Sequence, residues 1–248
     1  MLREEVVAAR AALGAGRPVD GEIALLAAAK DEQGEGLSEN IITTSIMLLL
    51  FAGHDTTTTA ICDLLCLLHS EPRAFARLRE EQSEVVAAHG PQITPDALRG
   101  MRYAEAAVRE GLRMRPVAVD IARVAAADLE ICGRQVAAGT QILLPMARLA
   151  GQDPLWSDAT GDLAPGRFNP DRFLDHPEAA KSPWQMPFGH GPRFCLGYHL
   201  GMLELKTFLA LLARGYDFTV DGDTEFEQTI GRRPKNGLPM VLTPRGGA

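Results

Sequence analysis

The sequence lacks the features that mark several large classes of protein. Its net charge is −7, and its 25 Lys and Arg residues are spread along the chain without a basic run. The electrostatic footprint of a nucleic-acid-binding protein is therefore missing, and nucleic acid is excluded as the main partner. Only four cysteines occur in 248 residues, which does not suggest a disulfide scaffold, and a reducing compartment is expected.

Signals for export and membrane insertion are missing as well. The first ten residues, MLREEVVAAR, contain no apolar stretch of the kind found in a secretory signal. The most apolar window, residues 41–68, contains His54, Asp55, Asp63 and four consecutive threonines, which a membrane-spanning helix tolerates poorly. We expect this window to form a buried helix. Localisation and membrane contact stay undetermined.

The composition is that of a globular protein, with 46% hydrophobic and 23% charged residues. Helical patterns dominate up to residue 114, and Ser38 is a candidate N-cap of the long apolar helix. Short β-like segments follow in residues 117–144, another helix is predicted over 198–214, and a β-hairpin from Phe218 onward. The predicted fold class is mainly α with small antiparallel β-sheets.

The residue with the clearest chemical meaning lies in the segment PFGHGPRFCLG, residues 187–197. A thiolate is a soft ligand that suits iron or copper, and Cys195 has no Cys or His partner at the spacing of a tetrahedral zinc site. A group such as a porphyrin would supply the remaining ligands, and the glycines of this segment would let the backbone approach it closely. The alternative is a structural cysteine in a Gly-rich turn.

The spacing within this segment favours the first interpretation. It matches F-x-x-G-x-R-x-C-x-G and resembles the haem-binding signature of the cytochrome P-450 superfamily. The resemblance implies a haem cofactor whose iron is ligated by Cys195. It also implies that other residues of the segment contact the haem, with the arginine paired to a propionate: Phe188, Gly189, Gly191, Arg193 and Gly197.

A second motif lies in the middle of the long apolar helix. The segment AGHDTT, residues 52–57, resembles the oxygen-activation motif of the same superfamily. Ala52 and Gly53 would contact the cofactor, since a glycine lets a flat group or dioxygen approach the helix. The resemblance implies that Asp55 and Thr56 relay protons to bound oxygen. A polar patch on an otherwise buried helix is the alternative.

Glu110 and Arg113 lie three residues apart, on one face of a predicted helix over residues 102–114. An exposed pair of this kind typically contributes about 0 to 1 kcal/mol, and a solvated surface pair is the usual interpretation. Glu-x-x-Arg nevertheless occurs once in the chain, and the later segment FNPDRF supplies Arg172. The resemblance implies that these three residues form a buried structural triad. It also implies that Arg123 holds a second propionate.

The motifs occur in the order of the superfamily, and the resemblance covers nearly all of the chain but only the C-terminal half of the superfamily fold. We expect residues 1–248 to be a partial cytochrome P-450 domain without its N-terminal half. The resemblance implies a haem-dependent monooxygenase that inserts one oxygen atom of O2 into a lipophilic small molecule and receives electrons from a reductase or ferredoxin. Residues 110–125 are most similar to the branch that hydroxylates retinoids, carotenoids and sterols, and the substrate walls would be residues 46–51, 117–121 and 236–238.

Two alternatives belong to other functional classes. A related isomerase or dehydratase needs the thiolate but no proton relay, and the intact GHDTT segment argues against it. A non-catalytic fragment that binds haem poorly or not at all is favoured by the missing half. Cys62 and Cys66, four residues apart with His69 close by, could mimic a metal-binding face, but core cysteines are the simpler interpretation.

Overall fold

The computed structural model describes residues 1–156, 159–161, 164–220, 225–228, 232–235 and 237–246. The chain divides into two compact units, Met1–Asp55 and Thr56–Ala248. Helices dominate the described residues, and every sheet among them is small and antiparallel. This confirms the predicted fold class.

The helices are α1 (Leu2–Gly14), α2 (Glu22–Ala28), α3 (Glu39–Ser70), α4 (Pro72–His89), α5 (Pro95–Gly100), α6 (Arg102–Met114), α7 (Met146–Gly151), α8 (Asp171–Asp175) and α9 (Tyr198–Gly215). The strands are β1 (Asp120–Val124), β2 (Leu129–Ile131), β3 (Arg134–Val136), β4 (Gln141–Pro145), β5 (Tyr216–Val220), β6 (Phe226–Gln228), β7 (Arg232–Pro234) and β8 (Met240–Pro244).

Each strand pairs with one antiparallel partner: β1 with β4, β2 with β3, β5 with β8 and β6 with β7. The sequence predicts a β-hairpin from Phe218 onward, and the structure has two antiparallel pairs in this part of the chain, β5 with β8 and β6 with β7. Phe218 lies opposite Leu242 and Val220 opposite Met240, so the apolar residues of β5 pair with those of β8. The β6–β7 hairpin lies between them in the chain.

The first unit has a small apolar core. Val6 of α1 and Ile42 and Ile46 of α3 are buried together. The Ser38 hydroxyl accepts a hydrogen bond from the Ile41 N–H at 3.2 Å, which confirms the predicted N-cap of α3.

The prediction that residues 41–68 form a buried helix is correct near both ends of this window and wrong between them. Leu64, Leu65, Leu67 and Leu68 are at most 3% exposed, whereas the run 47–51 is between 38% and 65% exposed. Ile42 and Ile46 pack in the apolar core of the first unit, whereas the side chains of the next turn of α3 are exposed. None of the described helices is long and apolar enough to span a membrane.

The core of the second unit forms between α3, α4, α6 and α9. Gly111 of α6 lies so close to α3 that an added Cβ would be 2.5 Å from Leu64 Cδ2. The first turn of α6 is capped from α4: the Glu81 carboxylate accepts the Tyr103 N–H and, at 3.0 Å, the Ala104 N–H. Packing on one side and this cap on the other fix α6, which carries Glu110.

Candidate active site

Cys195 lies in a closed turn that leads into α9. The Cys195 N–H donates to the Phe188 carbonyl at 2.9 Å, and the Phe194 N–H donates to the Gly191 carbonyl at 3.0 Å. Gly189 and Gly191 have φ angles of 76° and 67°, in the left-handed region where a Cβ causes strain. The turn therefore depends on glycine at these two positions, and it leaves Cys195 exposed.

The first turn of α9 follows directly on this sulfur. Gly197 is the N-cap residue, and a glycine has no side chain that could cap the helix. A Cβ built on Gly197 would be 3.9 Å from the Cys195 Sγ, so the sulfur lies beside the uncapped N-terminus of the helix.

Apolar side chains border the turn, and Arg193 in the turn and Arg123 on β1 are both exposed. Ile121 of β1 approaches the turn, since its Cδ1 would be 4.0 Å from a Cβ on Gly189. Leu196 is 86% exposed. Arg193 has no ion pair within the described ranges, and the guanidinium of Arg123 donates only to the neighbouring Ala122 carbonyl, at 2.8 Å. Both guanidinium groups keep donors for an external carboxylate.

These groups fit a haem. The sulfur supplies one soft ligand, the exposed apolar side chains suit a flat apolar ring, and two open guanidinium groups match two propionates. In the part of the chain that the structure describes, no group of three or more His, Cys, Asp or Glu residues is placed to hold a bare metal ion. As a single thiolate ligand, Cys195 would require a metal that brings its other ligands with it.

The residues of the AGHDTT segment lie on α3 at the division between the two units. Within the first unit, the Asp55 Oδ1 lies 2.9 Å from His54 Nδ1, and both side chains are exposed. A Cβ on Gly53 would meet no atom within 4 Å, so the helix surface there is open. Within the second unit, the Thr57 hydroxyl donates to the Glu204 carboxylate of α9 at 3.2 Å.

Glu110, Arg113 and Arg172 come together in one buried charge cluster. Their side chains are 0%, 2% and 1% exposed. The Arg113 Nε donates to the Glu110 Oε2 at 2.6 Å and its Nη2 to the Oε1 at 2.9 Å. The Arg172 Nε donates to the same Oε1 at 3.3 Å. One carboxylate thus bridges two guanidinium groups.

Backbone carbonyls and a tryptophan balance the excess positive charge of this cluster. The Pro165 carbonyl accepts from the Arg113 Nη2 at 2.8 Å, and the Ala164 carbonyl accepts from the Arg172 Nη2 at 3.1 Å. The Trp156 ring lies 5.0 Å from the Arg172 Cζ and 5.8 Å from the Arg113 Cζ, within range of cation–π attraction. Burial lowers the pKa of the Arg172 guanidinium, although the charge of Glu110 acts in the opposite direction.

A second polar network joins α6 to the first residue of α9, and sequence reasoning did not predict it. The Arg109 Nη2 donates to the Tyr198 hydroxyl at 3.0 Å and to the Glu105 Oε1 at 2.8 Å. The Lys206 Nζ donates to the other oxygen of Glu105 at 3.1 Å. Burial raises the pKa of the Glu105 carboxyl, but its bonds to Arg109 and Lys206 outweigh burial and the pKa is lowered.

Comparison with known proteins gives the same family as the motifs. Residues 1–244 match the family described as Cytochrome P450. The chain is 31% identical over 222 residues to cytochrome P450 3A40 of Oryzias latipes, an alignment that covers 87% of this chain and 43% of that protein. It is 31% identical over 228 residues to cytochrome P450 4V2 of Mus musculus, covering 89% of this chain and 42% of that protein.

A third relative, the lithocholate 6-beta-hydroxylase of Mesocricetus auratus, is 28% identical over 219 residues, which cover 86% of this chain and 42% of that protein. The chain therefore spans less than half the length of these curated relatives. The match nevertheless extends over nearly all of its own residues, and it follows that this chain belongs to the cytochrome P450 family.

Proposed function

We propose that this chain provides the haem-binding and oxygen-activating part of a cytochrome P450 monooxygenase, with Cys195 as the protein ligand of the haem iron. The observation that carries the proposal is the exposed Cys195 sulfur in a closed turn at the uncapped N-terminus of α9. The bound haem would supply the binding and reductive activation of dioxygen. Arg193 and Arg123 would hold its two propionates.

The remaining cofactor contacts in the proposal are residues that allow close approach. Gly189 and Gly191 allow the tight turn before the sulfur, and Phe188 anchors that turn through its carbonyl. Gly197 keeps the start of α9 close to the sulfur, and Ala52 and Gly53 leave the surface of α3 open. The open space at Gly53 supports the last assignment.

Asp55 and Thr56 would hold and transfer protons in this proposal. A carboxylate and a hydroxyl on adjacent residues of one helix can pass a proton to a group bound beside that helix. The AGHDTT segment and the exposure of Asp55 support this role. Glu110, Arg113 and Arg172 would have no chemical role, and would instead hold α6 and residues 164–169 in place.

The proposed substrate is a lipophilic small molecule, with retinoids, carotenoids and sterol-like compounds as the first classes to test. The exposed apolar residues 47–51 of α3 support a lipophilic substrate, and one relative is named as a hydroxylase of lithocholate. Electrons would come from a reductase or a ferredoxin. Of the segments predicted to line the substrate, Asn236 lies outside the described residues.

The test is oxygen incorporation by the purified chain, loaded with haem and supplied with a reductase, isotopically labelled O2 and lithocholate as the first probe. One labelled oxygen atom in the product is the expected result. Asp55→Asn and Thr56→Ala should lower product formation per haem by at least tenfold. Equal product yield from these variants would contradict the proton-transfer role.

The competing proposal is a non-catalytic fragment that binds haem poorly or not at all. It is favoured by the chain spanning less than half the length of its relatives. A haem titration followed by absorbance separates the two proposals. Saturable binding that is lost in Cys195→Ser and kept in Cys132→Ser, which changes another exposed cysteine, would exclude the fragment proposal. Failure of the unaltered chain to bind haem would support it.

A further inference from the structure

We propose that Tyr198, held by Arg109, is a positioning residue for Cys195. The Tyr198 hydroxyl ties the Cys195 turn to α6, and its loss should loosen the turn that presents the sulfur. The restraint of the turn follows from this chain's own contacts, while its consequence for haem rests on the proposed function.

The ring of Tyr198 touches both arms of the turn. It lies edge-on to Phe188, with ring centroids 4.9 Å apart, and its centroid is 5.3 Å from that of Phe194. These two phenylalanines flank the hydrogen bond that closes the turn, from the Cys195 N–H to the Phe188 carbonyl. Movement of the tyrosine ring therefore acts on the turn from both sides.

The hydroxyl of Tyr198 is bound to a fixed cation. Arg109 donates to Glu105 through both Nε and Nη2, at 3.1 and 2.8 Å. Lys206 holds the same carboxylate and also donates to the Leu98 carbonyl at 2.9 Å. Because Arg109 is 22% exposed and Lys206 12%, these side chains have little freedom to move. Arg109 is therefore held in place by contacts that do not involve Tyr198.

Tyr198 packs against the core of the second unit, but the packing beside it is incomplete. A cavity of about 110 Å³ lies between the turn and α6, and its walls include Arg109, Phe188, Phe194 and Tyr198. Because this cavity borders the ring, the hydrogen bond from Arg109 gives Tyr198 a directional tie to α6 that packing does not supply.

The first experiment measures amide hydrogen exchange of the Cys195 N–H by NMR in the chain without haem. Tyr198→Phe removes only the hydroxyl, and we expect exchange about fivefold faster, as for loss of one ordinary hydrogen bond. Arg109→Gln should give a similar acceleration, and Arg109→Lys a smaller one because a donor is kept. Tyr216→Phe is the matched control, since Tyr216 is 41% exposed and distant in sequence, and should change nothing.

Exchange in Tyr198→Phe equal to that of the unaltered chain would overturn the proposal, and so would an equal acceleration in Tyr216→Phe. If Arg109→Gln does not fold, Tyr198→Phe decides alone. Exchange of the β2–β3 hairpin amides should stay constant in every variant, which shows that the effect is local.

The second experiment uses the chain loaded with haem, reduced and exposed to carbon monoxide. Thiolate ligation gives a red-shifted Soret band, and we expect its share of the total to fall at least twofold in Tyr198→Phe and to stay constant in Tyr216→Phe. An unchanged share in Tyr198→Phe would contradict the positioning role. Absence of the band in the unaltered chain would count against the proposed function only, because hydrogen exchange tests the positioning role without haem.

Discussion

The charge cluster on α6 and the Cys195 turn differ in how their polar groups are satisfied. In the cluster, Glu110, Arg113 and Arg172 are at most 2% exposed and bind one another and nearby backbone groups. In the turn, Cys195 is exposed and Arg193 has no ion pair in the described residues. A buried network that is already satisfied can stabilise a fold but has nothing left to offer a ligand, whereas the turn keeps its ligand groups open.

The largest effect is expected from breaking the charge cluster. Glu110→Gln removes a carboxylate that accepts hydrogen bonds from the Nε atoms of both Arg113 and Arg172. The two buried guanidinium groups would lose this negative charge while keeping their bonds to the Pro165 and Ala164 carbonyls. Removing one partner of a buried ion pair costs about 3 to 5 kcal/mol of unfolding free energy. Urea unfolding of the variant measures this loss.

The matched control for this variant is Glu178→Gln, which changes an exposed acid that is 3.3 Å from His176. Its unfolding free energy should change by less than about 0.5 kcal/mol. A loss of similar size in both variants would show that the cluster has no special role.

The next effect concerns the close packing that sets α6 in place. Gly111→Ala introduces a methyl group 2.5 Å from Leu64 Cδ2 and should destabilise the chain by about 1 to 3 kcal/mol through overpacking. Gly53→Ala also replaces a helical glycine, but no atom lies within 4 Å of its new Cβ. That variant should gain up to about 1 kcal/mol, as measured by thermal unfolding. Equal shifts in both variants would contradict the packing argument.

The third variant, at Arg193, should weaken haem binding without changing the stability of the fold. Arg193→Gln should leave the unfolding free energy within about 0.5 kcal/mol of the original value, because Arg193 has an exposed side chain with no ion pair in the described residues. Its haem affinity should fall by about tenfold, the effect of losing one charge-assisted hydrogen bond. Haem titration gives the affinity. Arg134→Gln, on the exposed strand β3, is the control and should bind haem as the unaltered chain does.

The smallest effect is the pH dependence of stability around α6. The pKa of Glu105 is lowered in the folded chain, so its contribution is present above the unfolded pKa and is lost as pH falls through the folded pKa. Burial raises the pKa of Glu81, so its contribution is present at low pH and is lost as pH rises through the folded pKa.

Unfolding free energies should therefore be measured from pH 3 to pH 8 for the unaltered chain, Glu105→Gln and Glu81→Gln. The stability deficits of the two variants relative to the unaltered chain should change with pH in opposite directions. Relative to the unaltered chain, the deficit of Glu105→Gln should shrink toward acid pH. The deficit of Glu81→Gln should instead shrink as pH rises. Parallel pH profiles for the two variants would contradict these pKa directions.

Short-range features of this site could be predicted from the sequence, and long-range ones could not. The predicted helix over residues 102–114 agrees with α6 (Arg102–Met114), and its spacing places Glu110 beside Arg113. Only the family resemblance predicts that Arg172 contacts them, because no local pattern links Arg172 to Glu110, which lies 62 positions earlier.

Two other contacts had no local signal. Trp156 lies over both buried guanidinium groups, although no neighbouring residue in the sequence indicates this. The bond from Arg109 to Tyr198 crosses 89 residues of sequence. Tertiary packing alone creates such pairs, so spacing along a single helix or strand cannot reveal them.

The most direct test of the central claim is the reduced carbon monoxide difference spectrum of the purified chain with haem supplied. The claim is that Cys195 ligates the haem iron, and the expected result is a red-shifted Soret band that is lost in Cys195→Ser and kept in Cys132→Ser. A band that survives in Cys195→Ser, or that never forms in the unaltered chain, would contradict it.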